Sequence, residues 1–101
     1  PPFSKIVMVY FSSRFRDRLI STISDVTRQL TKVIVGNFPS VRILGPTPMG
    51  IEKKANQFTW AIMLKSEDIN DLHKMISIFE SNYLAVSGIT YKVDVDPIHI
   101  L

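Results

Sequence analysis

Three arginines, Arg14, Arg16 and Arg18, stand at alternate positions just after the β-branched and aromatic run Lys5–Phe11. Guanidinium groups suit phosphate because each offers a planar fork of donors to two oxygens. They fall where the first turns of a helix are expected, and a cation there opposes the positive end of the helix dipole by about 0.3–1 kcal/mol. An arrangement with that local cost marks a candidate anion contact; docking onto another domain is the alternative. Arg28 and Lys32, four residues apart, continue the basic set along one helix face, and Lys53-Lys54 add to it in a later polar stretch. We take these seven side chains as candidate anion-contact residues.

Other chemistry finds little support. The two histidines, His73 and His99, are far apart and neither has an evident orienting carboxylate. Asp94 and Asp96 form an Asp-x-Asp pair on one strand face, for which solvated edge acids are the better reading than a hard-cation site. Without Cys the chain has no thiol nucleophile, no disulfide and no Cys-based zinc site. No Gly-rich phosphate loop is present, so no catalytic residue, metal or cofactor is expected in this fragment. Trp60 alternates with Phe58 on one face of a strand pattern and is expected in the core rather than as a base-stacking platform.

The 101 residues, 46% hydrophobic and 21% charged, fit one folded domain covering 1–101. No apolar stretch approaches the roughly 18 residues of a membrane span, so no membrane partner is expected. The net charge of +3 is uneven. Residues 1–54 hold nine basic side chains against Asp17, Asp25 and Glu52, whereas the acids outnumber Lys65, Lys74 and Lys92 beyond them. Such a field can steer a polyanion to one side, although solvated surface charge accounts for it equally well. The opening Pro1-Pro2-Phe3 lacks Met, from which we expect a piece of a longer protein.

The elements that must position these groups follow from periodicity. Lys5–Phe11 reads as a strand buried on both faces, with Ser12 and Ser13 as cap residues for the helix that follows. Phe15, Leu19, Ile23, Val26, Leu30 and Val33 recur at three- and four-residue steps, a helical stripe ended by Gly36-Asn37. Val41–Leu44 is a short strand stopped by Gly45-Pro46-Thr47-Pro48, a segment that cannot continue a central strand and so reads as a loop or an edge. Phe58–Lys65 is a third strand. Asp68 caps a second helix, whose stripe is Ile69, Leu72, Ile76, Phe79 and Tyr83. Ile89–Asp96 alternates as a fourth strand, stopped by Pro97. The order βαββαβ predicts an α+β, ferredoxin-like sandwich, a four-stranded antiparallel sheet with two helices on one face and the first and third strands central. The other face, carrying Met63 and Val7 or Val9, is expected to meet another domain or a nucleic acid, with a modest patch of ordinary surface hydrophobes as an equally good alternative.

Four motifs in order resemble a known family. Pro1-Pro2-Phe3-Ser4 before an apolar strand, Val41–Pro48 (VRILGPTP), Glu52-Lys53-Lys54 followed by Phe58-Thr59-Trp60, and Asp94-Val95-Asp96-Pro97 are similar to segments of the C-terminal domain of primosomal protein N′, the replication-restart helicases. The resemblance implies the tail domain of a larger bacterial 3′-to-5′ ATP-dependent DNA helicase, cytoplasmic and nucleoid-associated, that rebuilds the primosome at abandoned forks. Its ATP, magnesium and zinc would belong to other parts of the parent. The implied partners are forked or single-stranded DNA, the helicase lobes, and the acidic, Phe-ended tail of single-stranded-DNA-binding protein. That tail would meet Ile69, His73 and Lys74 at the start of the second helix; Ile69 departs from the Arg that some members carry there. A purely structural domain bracing the helicase lobes is the competing reading, and a small-molecule regulatory module ranks behind both.

Overall fold

Strands β1 (Lys5–Ser13), β2 (Arg42–Pro48), β3 (Phe58–Ser66) and β4 (Ile89–Val95) and helices α1 (Arg16–Asn37) and α2 (Ile69–Asn82) alternate as βαββαβ. They are seen in a computed structural model that describes residues 4–50 and 56–95. The strands form one antiparallel sheet in the order β2-β3-β1-β4, so β1 and β3 are central as the crossover rule predicts. This is the ferredoxin-like arrangement expected from the element order.

Burial along β1 alternates: Val7, Val9, Phe11 and Ser13 are buried, and Ile6, Met8, Tyr10 and Ser12 are half-buried. Val7 faces Leu64 and Val9 faces Ile62 across the β1–β3 pairing. Leu19, Ile23, Val26, Leu30 and Ile34 of α1 and Leu72, Met75 and Phe79 of α2 close over this face as one core. Each such side chain contributes about 1.5–3 kcal/mol on full burial. Val7 and Val9 therefore belong under the helices, and the residue beside Met63 on the other face is Met8. An unbroken apolar run carries no polar residue to mark its parity, so only pairing with β3 decides it.

At the β4 end of the core, Phe11 meets Phe79 and Tyr83 edge-on at 6.1 and 5.9 Å between centroids, and Tyr91 lies 5.0 Å from Phe79. The Tyr83 hydroxyl is buried there without a hydrogen-bond partner among the described residues. Burial pushes its pKa above the usual phenol range and the adjacent Tyr91 adds to this; the Val86 backbone offsets part of it without reaching hydrogen-bond geometry.

The helix starts differ. Asp68 caps α2 through Oδ1, which accepts the Asn70 and Asp71 amides at 2.9 and 3.3 Å. Buried Ser66 accepts the Asp68 amide, and Ser40 donates to Asp71 at 2.8 Å, tying the helix start to the segment entering β2. For α1 the expected serine caps are absent. Strand β1 runs on through Ser13, the N-cap is Phe15 with no side-chain bond to the helix, and Ser13 Oγ accepts the Phe15 amide instead.

Strand β2 continues past Leu44 to Pro48, with its register shifted between Leu44 and Thr47. An edge strand tolerates proline because its outer side needs no donor, and the shift absorbs the irregular backbone. Gly45 has φ +100°, and a Cβ there would stand 2.9 Å from the Ala61 carbonyl oxygen. Gly36, by contrast, has open space around it on α1.

Two stability outcomes are expected. Gly45→Ala should destabilise by roughly 1–3 kcal/mol, whereas Gly36→Ala should stabilise by about 0.5–1 kcal/mol; urea titration reads both, and equal effects would contradict the assignment of β2. Tyr83→Phe should leave stability unchanged or raise it by up to roughly 1 kcal/mol near neutral pH. Because the folded state favours the neutral phenol, wild type should lose stability as pH rises above about 10. The phenylalanine variant should lack that part of the alkaline loss, visible as a widening gap between the two chains from pH 8 to 11 by the same titration.

Candidate nucleic-acid interface

The candidate basic residues on and just before α1 form two groups rather than one patch. Arg14 is exposed between β1 and α1, and Arg16 and Arg18 occupy the first turn of α1. Arg16 lies 3.7 Å from Asp17, both exposed to solvent, so the pair is screened and leaves the guanidinium accessible. Arg18 is committed to the fold. Its Nη1 donates to the Ser87 carbonyl at 2.9 Å, and its guanidinium lies 4.6 Å from the Phe15 ring centroid. About 15 Å along the helix axis beyond Arg18, Arg28 pairs with Asp25, and Lys32 is exposed one turn beyond. Lys53 and Lys54 lie outside the described residues, as do Asp96 and His99.

A third set of cations becomes a group only in the folded sheet. Arg42 and Lys65 face each other across β2 and β3, and Lys92 faces Tyr10 across β4 and β1. All three share the sheet face away from the helices with Ile6, Met8, Tyr10, Leu44 and Met63. Among the described residues, the ion pairs are Arg16 with Asp17 and Arg28 with Asp25, so Arg42, Lys65 and Lys92 have no carboxylate partner there. Side-by-side cations on neighbouring strands repel. Strand parity carries the signal, but three separate strands must be registered before these residues become neighbours. Beside Arg42 and Lys65, a cleft of about 510 Å³ is lined by Ser4, Pro39, Ser40, Ser66 and Glu67.

The residues expected to meet an acidic peptide tail are divided. His73 and Lys74 are exposed and line a shallow groove of about 360 Å³ with Phe38, Ser77 and Ile78. Ile69 is not part of that groove; it packs half-buried against the core, as its place in the helical stripe requires. Among the described residues no three His, Asp or Glu side chains come together as a metal site, and no helix is long and apolar enough to cross a membrane.

Solved structures share the fold at low identity. An amidase of the hydantoinase/carbamoylase family from Burkholderia ambifaria superposes with TM-score 0.61 at 12% identity, over 91% of this chain but 27% of that one. The de novo designed ferredoxin-fold protein LFR1 1 gives TM-score 0.60 at 12% identity, with 92% of this chain and 84% of the design covered. Another design, Foldit4, gives 0.56 at 6% identity over 91% and 97% of the two chains. Likeness at this identity speaks for the fold alone. No curated protein matches the sequence. The family of primosomal protein N C-terminal domains matches residues 1–98, and the chain belongs to that family.

Proposed function

We propose that this domain contacts DNA for a 3′-to-5′ ATP-dependent helicase that restarts stalled replication forks, while bracing the helicase lobes of the same chain. The family match over residues 1–98 carries the reading. The charge distribution supports it: Arg14, Arg16 and Lys32 are exposed, and Arg28 is held only by a surface pair that a phosphate can replace. Lys53 and Lys54 would extend the set, and Arg18 serves mainly to hold the start of α1. ATP, magnesium and zinc would act in other parts of the parent, in the bacterial cytoplasm and at the nucleoid.

The groove on α2 favours a second contact. Phe38 and Ile78 offer apolar walls and Lys74 a cationic rim, a combination that suits the acidic, Phe-ended tail of single-stranded-DNA-binding protein. His73 and Lys74 would take that role without Ile69. The competing reading, a brace that never touches DNA, predicts no salt-dependent DNA binding by the 101-residue chain.

Fluorescence anisotropy with labelled oligonucleotides across a salt series separates the two. Log K should fall linearly with log salt, and replacing Arg14, Arg16 and Lys32 together by Gln should reduce the slope by about 0.7–0.9 for each phosphate no longer neutralised. Wild-type binding that is absent or indifferent to salt would leave only the bracing role.

A further inference from the structure

We infer that the open face of the sheet binds single-stranded nucleic acid, stacking a base on Tyr10 and holding phosphates with Arg42, Lys65 and Lys92. The inference rests on the nucleic-acid reading above and assigns it a surface and a strandedness.

The face has an apolar centre that neither helix covers. Met8 and Met63 are direct cross-strand partners on the two central strands. Leu44, on the adjoining edge strand, is 48% exposed. Tyr10 sits on β1 between Ala61 and Lys92. The other two tyrosines, Tyr83 and Tyr91, are absorbed in the aromatic cluster with Phe11 and Phe79, whereas Tyr10 stacks on no other described ring. A half-buried tyrosine on a central strand, with its ring unmatched, is a platform for a base.

Charge selects the occupant. Arg42 and Lys65 bring two positive charges together at one side, neither ion-paired among the described residues although Glu67 lines the same cleft, and Lys92 stands on the opposite edge strand. A phosphate between Arg42 and Lys65 would relieve their repulsion. Asp94, opposite Met8, is the one acid on the face among the described residues. Cationic margins around an apolar middle match a strand with its bases turned inward and its backbone at the rim. A duplex keeps its base faces stacked inside and would leave the apolar middle without a partner.

Anisotropy with a labelled oligothymidylate of about 12 nucleotides tests this on wild type, Tyr10→Leu, Tyr10→Phe, Leu44→Glu, and a chain carrying Arg42→Gln, Lys65→Gln and Lys92→Gln. Tyr10→Leu should weaken binding roughly 5- to 100-fold with the salt slope unchanged, and Tyr10→Phe should stay within about 2-fold of wild type. The triple Gln chain should lower the slope by about 0.7 for each phosphate it ceases to neutralise. Leu44→Glu, at an exposed edge position where the fold is not at stake, should weaken binding several-fold at least. Thermal melts confirm that each variant is folded. If Tyr10→Leu and Leu44→Glu bind like wild type while the α1 variants flatten the slope, the sheet face is not the site and the DNA-contact reading stands. Equal affinity for duplex, indifferent to Tyr10, overturns the inference in the same way. A wild-type chain that shows no salt-dependent binding to either probe removes the DNA-contact reading itself. If an added protein partner, and no oligonucleotide, responds to Tyr10→Leu, the face is a protein interface instead.

Discussion

The parity of strand β1 governs the rest of the molecule. Successive side chains of a strand point to opposite faces, so placing Val7, Val9 and Phe11 beneath the helices obliges Ile6, Met8 and Tyr10 to face the other way. Two helices are enough to cover one face of four strands, and both lie on the same one. The domain thus commits its large apolar stripes to its own core and leaves a second surface, also partly apolar, outside it. A slip of one residue between β1 and β3 would exchange the two faces and leave Phe11 without its partners Phe79 and Tyr83.

Much of this is legible in the sequence. The stripes on α1 and α2 repeat with helical spacing, the second helix announces its cap with Asp68, and the order of elements leaves few ways to bury both helices. What escapes the sequence has identifiable causes. Lys5–Phe11 is apolar throughout and does not reveal its parity. The Gly45–Pro48 segment carries two prolines and reads as a break, yet an edge strand with a register shift accommodates both. Ser13 reads as a cap but is drawn into the sheet, where its hydroxyl serves the Phe15 amide.

The candidate site is legible by residue type more than by place. Arg14, Arg16, Arg28 and Lys32 are exposed as expected, but helix geometry spreads Arg16, Arg28 and Lys32 along α1 instead of gathering them, and Arg14 lies just before it. Arg18 is exposed as well, but its guanidinium closes onto Ser87 and Phe15, a tie to the start of α1 that residue type alone does not show. Ile69 is a candidate only through resemblance, and its membership of the helical stripe already argues for the core. Arg42, Lys65 and Lys92 are invisible as a group in the sequence because each lies on a different strand. In a domain of the primosomal protein N C-terminal family, the two-faced sheet sets these cations around a partly apolar surface that the core does not use.

Methionine-methyl NMR with a soluble paramagnetic agent addresses the two-faced sheet most directly, because Met8 and Met63 lie on the open side and Met75 lies in the core. In the free chain the account predicts strong broadening of the Met8 and Met63 methyl signals and none for Met75, with both signals recovering once oligothymidylate occupies the face. Met8 and Met63 signals protected in the free chain, or broadened equally with saturating oligonucleotide, would contradict it.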